Sequence, residues 1–174
     1  MKKKKGSKAF SLMEIIVAIG VIMTFLVGAI TLISYSITGI RIGKSRIIAM
    51  ALAQEGLEIV RNIRDNNWLN NKREATNWRD GLGSGHYRVQ YDQTNLFSPS
   101  SDRLKVDSKG FYYYEDQGYR SGSVTVSFRR DINIEYIPGD DSQIKITSTI
   151  TWEESGRNYT FSTETRLFNW LEPE

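Results

Sequence analysis

The sequence contains no cysteine, one histidine and three prolines among its 174 residues. Without thiols there can be no disulfide staple, thiol nucleophile, Cys-ligated zinc or iron–sulfur cluster, so a folded domain must rest on core packing. A lone histidine, His86, excludes a site built from several imidazoles. Charge is missing over one long stretch: no Asp, Glu, Lys or Arg occurs from Ile15 to Ile40. As a helix rising about 1.5 Å per residue, those 26 residues extend roughly 39 Å. That exceeds a hydrocarbon core of about 30 Å.

Before the gap stand Lys2, Lys3, Lys4, Lys5 and Lys8, then Ala9, Phe10 and the single acid Glu14. Five of the 23 Lys and Arg residues thus lie in the first eight positions; without them 18 basic residues face 20 acidic ones, a net charge of −2. The basic balance belongs to the amino terminus, where it matches a cytoplasmic amino end and an external carboxyl domain. Arg41, Lys44 and Arg46 oppose that bias in part. A plain anchor, with Glu14 hydrated among headgroups, is the simplest reading. A removable signal peptide fits poorly, because its apolar region spans about 7–15 residues and closes at a small-residue site. Ser34-Tyr35-Ser36 carries a bulky residue and sits inside the run.

Basic leader, Ala9, Phe10, Glu14 and charge-free run together resemble the class III prepilin signal of type IV pilins and type II secretion pseudopilins. The resemblance implies cleavage between Ala9 and Phe10 by a prepilin peptidase, N-methylation of Phe10, and assembly through Glu14 facing a neighbouring subunit's amino terminus. It implies a single-pass protein of the inner membrane whose partners are other pilin or pseudopilin subunits in a pilus or periplasmic filament. Major pilins usually carry a proline in mid-run; Thr31 occupies that neighbourhood here, which favours a minor subunit. The rival expectation is a membrane-tethered binding protein with an external β-rich domain.

Residues 41–66 hold no proline and keep a helical period, with Ile48, Leu52, Ile59 and Ile63 on one stripe beside Gly56. One helix is expected from Leu12 to near Asn66, followed by a polar, Gly-rich linker pinned by Trp68 and Trp78. From His86 onward, alternating apolar residues predict strands. The longest runs hold Ile132 and Ile134, then Ile144 to Trp152, then Tyr159 to Leu167, with turns at Pro138-Gly139 and Ser155-Gly156. The expected fold is α+β and pilin-like: leader 1–9, transmembrane and assembly half 10–40, amphipathic half 41–66, linker and antiparallel sheet 67–174.

Neither catalysis nor any cofactor or metal is expected. His86 reads as a surface residue at a strand start. Asp140-Asp141 after Pro138-Gly139 reads as a solvated turn, with calcium as the sharper alternative. Tyr112, Tyr113 and Tyr114 place at least one ring on an exposed face. Gly81, Gly83 and Gly85 follow no apolar strand and open no helix, so a phosphate loop is not expected. A net charge of −2 argues against nucleic acid as a partner, leaving a local patch at Arg129-Arg130 open.

Overall fold

The computed structural model describes residues 11–74, 77–114 and 124–170, and only the backbone of 71–74. The chain divides into two compact units, Met1–Gly43 and Lys44–Glu174. The α+β layout expected from the sequence is present: a long, apolar amino-terminal helix and a carboxyl-terminal antiparallel sheet.

Helix α1 runs Leu12–Glu74. In the first unit every residue from Leu12 to Ile40 is exposed. Its hydroxyls turn back onto the helix: Thr24, Thr31, Ser34 and Thr38 each donate to the carbonyl four residues earlier, at 2.9–3.0 Å. Such back-bonding satisfies polar groups that apolar surroundings would otherwise penalise by about 1–3 kcal/mol each.

The second unit is a helix face laid on a sheet. Strands β1 (Gly85–Tyr87), β5 (Arg129–Ile137), β6 (Asp140–Glu154) and β7 (Arg157–Phe168) form an antiparallel sheet of order β1-β5-β6-β7. Short strands β2 (Lys105–Val106), β3 (Tyr112–Tyr113) and β4 (Val124–Thr125) make a second sheet, order β3-β2-β4. Turn chemistry sets the long hairpins: Gly139 lies at φ 78° between β5 and β6, and Ser155 and Gly156 at φ 53° and 73° between β6 and β7. Strand alternation puts Ile132, Ile134, Ile144, Ile146 and Ile150 inside, all fully buried. Leu57, Val60 and Ile63 of α1 join one core cluster, and Ala49, Leu52 and Ala53 join a second with Leu104, Tyr114, Phe128 and Trp152.

The expected stripe packs as read, with two qualifications: Ile48 and Ile59 are only half-buried, and Ala49, Ala53 and Val60 carry more of the interface. Gly56 is buried on the helix face that packs closely against the sheet. A Cβ there would lie 2.8 Å from Ile132 Cδ1 and 3.2 Å from Arg130 Cδ.

Helix α1 also runs past Asn66, where a linker was expected to begin. Asn67 donates to the carbonyls of Trp78 (3.1 Å) and Asp80 (2.7 Å), and the Trp68 indole donates to Asn169 Oδ1 at 3.1 Å. Trp68 meets Trp170 edge-on at 4.6 Å, with the Arg64 guanidinium 4.3 Å from its ring centre. Tertiary partners thus hold residues of modest helix propensity in the helix.

Candidate functional site

The candidate site begins at the amino-terminal turn of α1. Ala9 and Phe10, the expected cleavage pair, lie outside the described residues. Glu14 lies in the first turn, exposed, and its backbone amide donates to the Ser11 carbonyl at 3.0 Å. That position suits an acid, because the free amides of a helix start carry partial positive charge. No cation pairs with Glu14 among the described residues.

Behind Glu14 the helix is long and apolar enough to cross a membrane, and none of its most apolar window is buried within the chain. A signal sequence near an amino terminus meets the same criteria. The surface is costly in water: exposed side chains such as Ile16, Phe25, Leu26, Ile30 and Leu32 would each gain about 1.5–3 kcal/mol from cover. Gly20, Gly28, Gly39 and Gly43 each have open space where a Cβ would stand. They weaken the helix by about 1 kcal/mol apiece relative to Ala, and no described residue packs into the room they leave.

Elsewhere the structure sorts the remaining candidates. His86 is exposed in β1, its Nδ1 2.8 Å from Asp131 Oδ2. The Asp140 carboxylate accepts from the Ser142 amide (2.9 Å), the Ser142 hydroxyl and the Gln143 amide. Those bonds, the Ser142 hydroxyl first, hold its carboxyl below the usual range. Asp141 turns to Arg79 at 3.3 Å. Among the described residues no three His, Asp or Glu side chains gather in a metal-binding group.

The structure corrects one surface expectation and closes one alternative left open. Tyr113 and Tyr114 are buried and Tyr112 is half-buried, so the triple tyrosine offers no exposed ring. Both buried rings fill the interior, because the chain leaves regular strand geometry after Tyr113. Arg129 and Arg130 do not form a patch either. Successive strand residues face opposite ways; Arg129 is exposed, whereas Arg130 enters the core. The Arg130 guanidinium donates to the Leu52 carbonyl and Glu55 (both 3.1 Å) and to the Val89 carbonyl (2.6 Å). This buried cation clamps α1 to β5, a role hidden in a sequence that pairs it with a surface arginine.

Tyr114 belongs to the same junction, donating its hydroxyl to the Arg130 carbonyl at 3.1 Å. Burial raises its phenol above the ordinary value of 10.0, against the opposing pull of Arg130 and Arg88. The folded state therefore holds this proton more tightly than the unfolded chain. The stabilisation is complete below pH 10 and is lost as pH rises through the raised value. Urea unfolding at pH 8 and pH 11 is expected to show an alkaline loss that shrinks in Tyr114→Phe. That variant should lose about 1 kcal/mol at pH 8 with its hydrogen bond. An unchanged alkaline loss would assign the effect to other groups.

Comparison with protein-family models, curated proteins and solved structures returned no match.

Proposed function

We propose that this chain is a structural filament subunit, a minor pilin or pseudopilin processed by a prepilin peptidase and assembled through its amino-terminal helix. The observation that carries the reading is one acid, Glu14, ahead of a charge-free run from Ile15 to Ile40, in a helix exposed throughout from Leu12 to Ile40. In the membrane, lipid covers that surface. In a filament, neighbouring helices replace lipid, and the open sides of Gly20 and Gly28 admit close approach. Cleavage after Ala9 removes five lysines and creates an ammonium at Phe10. Glu14 of one subunit then pairs with that ammonium on the next.

The helix-on-sheet unit supports the same reading, because it packs an antiparallel sheet against the outer part of α1 through Ala49, Leu52, Ala53, Leu57, Val60 and Ile63. Processing is tested by the amino-terminal mass of membrane-extracted protein from cells with a working prepilin peptidase. A terminus at Phe10, one methyl group heavier than the bare chain, is expected. Retention of Lys2 through Lys8 would remove the pilin reading and leave a membrane-tethered binding protein in its place.

A further inference from the structure

The β6–β7 hairpin ends beside the first residues of the second unit. Ser45 of α1 donates its hydroxyl to Glu154 at 2.9 Å, and Glu154 pairs in register with Arg157 across the turn. Ser45 stands five residues beyond Ile40, the end of the charge-free run. Five residues span about 7.5 Å as helix and at most about 18 Å fully extended. This end of the sheet is therefore tethered close to the place where the run leaves the hydrocarbon. The Pro138-Gly139 turn lies at the opposite end of the same strands.

Charge is segregated between those two ends. Lys44 and Arg46 flank Ser45 and are exposed, as are Arg129, opposite Thr151, and Arg157 at the hairpin. Arg103 is exposed too, 3.7 Å from Glu153; its neighbour Asp102 is taken by Arg88 at 3.3 Å. Two acids, Glu153 and Glu154, stand against these five cations, and Lys44, Arg46 and Arg129 make no ion pair among the described residues. Outside this group and the leader lysines, the sequence holds 13 basic and 18 acidic residues. The opposite turn carries Asp140 and Asp141. A chain of slightly negative total thus places an excess of three positive charges at the end nearest its charge-free run.

We infer that this end of the sheet unit docks on anionic phospholipid headgroups beside its own membrane span. The inference rests on the membrane-spanning part of the proposed function, and it applies equally to a subunit awaiting assembly and to a tethered monomer. An anionic leaflet attracts juxtamembrane cations over about one Debye length, roughly 10 Å at 0.1 M salt. The anchor holds the leaflet within that reach, so the local excess decides the sign. The acidic remainder opposes it little: β6 has 15 residues, which at about 3.3 Å each put Asp140 several screening lengths away. The exposed guanidiniums of Arg129 and Arg157 suit phosphodiester oxygens, which accept charge-assisted hydrogen bonds from their planar donors. Entry into a filament then requires release of these headgroups.

The chain's lack of cysteine provides the test. Ser155→Cys carries one fluorophore at the β6–β7 hairpin, and Asp141→Cys carries it at the other end. Each full-length protein is reconstituted in nanodiscs of phosphatidylcholine, alone or with about a third phosphatidylglycerol. A trace of lipid spin-labelled at the headgroup serves as quencher. Recovery in the discs reads membrane insertion and quenching reads headgroup contact, so the two fail separately. At about 0.1 M salt the Ser155→Cys label should be quenched at least about twofold more in anionic discs. That excess should vanish near 1 M salt, where the screening length is about 3 Å; this arm needs no charge variant. The Asp141→Cys label should respond to neither change. Arg129→Gln combined with Arg157→Gln should abolish the anionic excess at an unchanged thermal midpoint, because both side chains are exposed. Equal quenching in the two discs, or an excess that survives the paired variant, would overturn the assignment. Displacement at matched ionic strength by inorganic phosphate or by a single-stranded oligonucleotide would do the same, reassigning the cations to a free anion or to nucleic acid.

Discussion

Glu14→Gln is expected to leave the protein cleaved and inserted at wild-type levels while its share of sheared filament fractions falls at least about tenfold. The substitution keeps size and polarity and removes the only acid near the apolar run. In the proposed filament it strands the Phe10 ammonium of a neighbour in low dielectric. Breaking a buried ion pair typically costs about 3–5 kcal/mol, and each 1.4 kcal/mol is about tenfold in an equilibrium. The tenfold figure is therefore a lower bound that allows for hydration of the exposed partner. A tethered monomer would respond oppositely, because a neutral amide is easier to hold in a bilayer than a carboxylate. Measuring variant and wild type in filament and membrane fractions separates the two. Equal incorporation at equal membrane levels would make Glu14 a bystander and promote the tethered-binder reading.

Gly56→Val is expected to destabilise the helix-on-sheet unit by about 3 kcal/mol or more, lowering its thermal midpoint by roughly 10 °C. A bare Cβ already falls 2.8 Å from Ile132 Cδ1 and 3.0 Å from Ser148 Oγ. Both residues are fully buried, so neither can swing into solvent. Pushing the helix outward would also stretch the Arg130 bonds to Leu52 and Glu55, leaving a buried guanidinium short of partners. Ala at the same position gains about 1 kcal/mol in helix propensity, which offsets part of its milder clash, so Gly56→Ala should fall between wild type and Val. Gly28→Ala is the control, because its methyl meets nothing within 4 Å. The helix-on-sheet unit should then melt at its wild-type midpoint, because Gly28 lies in the other compact unit and its gain in helix propensity falls there. A Gly56→Val protein melting with the wild type would mean that the close approach at Ile132 is not a constraint.

The parts governed by local pattern are legible in the residues alone. A charge-free run from Ile15 to Ile40 can only be a surface needing apolar cover, and its partition from the amphipathic half follows from where charged residues resume at Arg41. The long hairpins were legible because Pro138-Gly139 and Ser155-Gly156 supply the turn chemistry between alternating strands. Whatever depends on distant partners emerges only in the folded chain. The end of α1 was misplaced at Asn66 because Trp170 and Asn169 capture Trp68 from about a hundred residues away. Arg129 and Arg130 look alike in sequence, yet strand parity sends one to solvent and the other across to the Leu52 carbonyl. Local chemistry selects helix, turn and apolar face; which polar side chains become neighbours is set by the packing of strands on the helix.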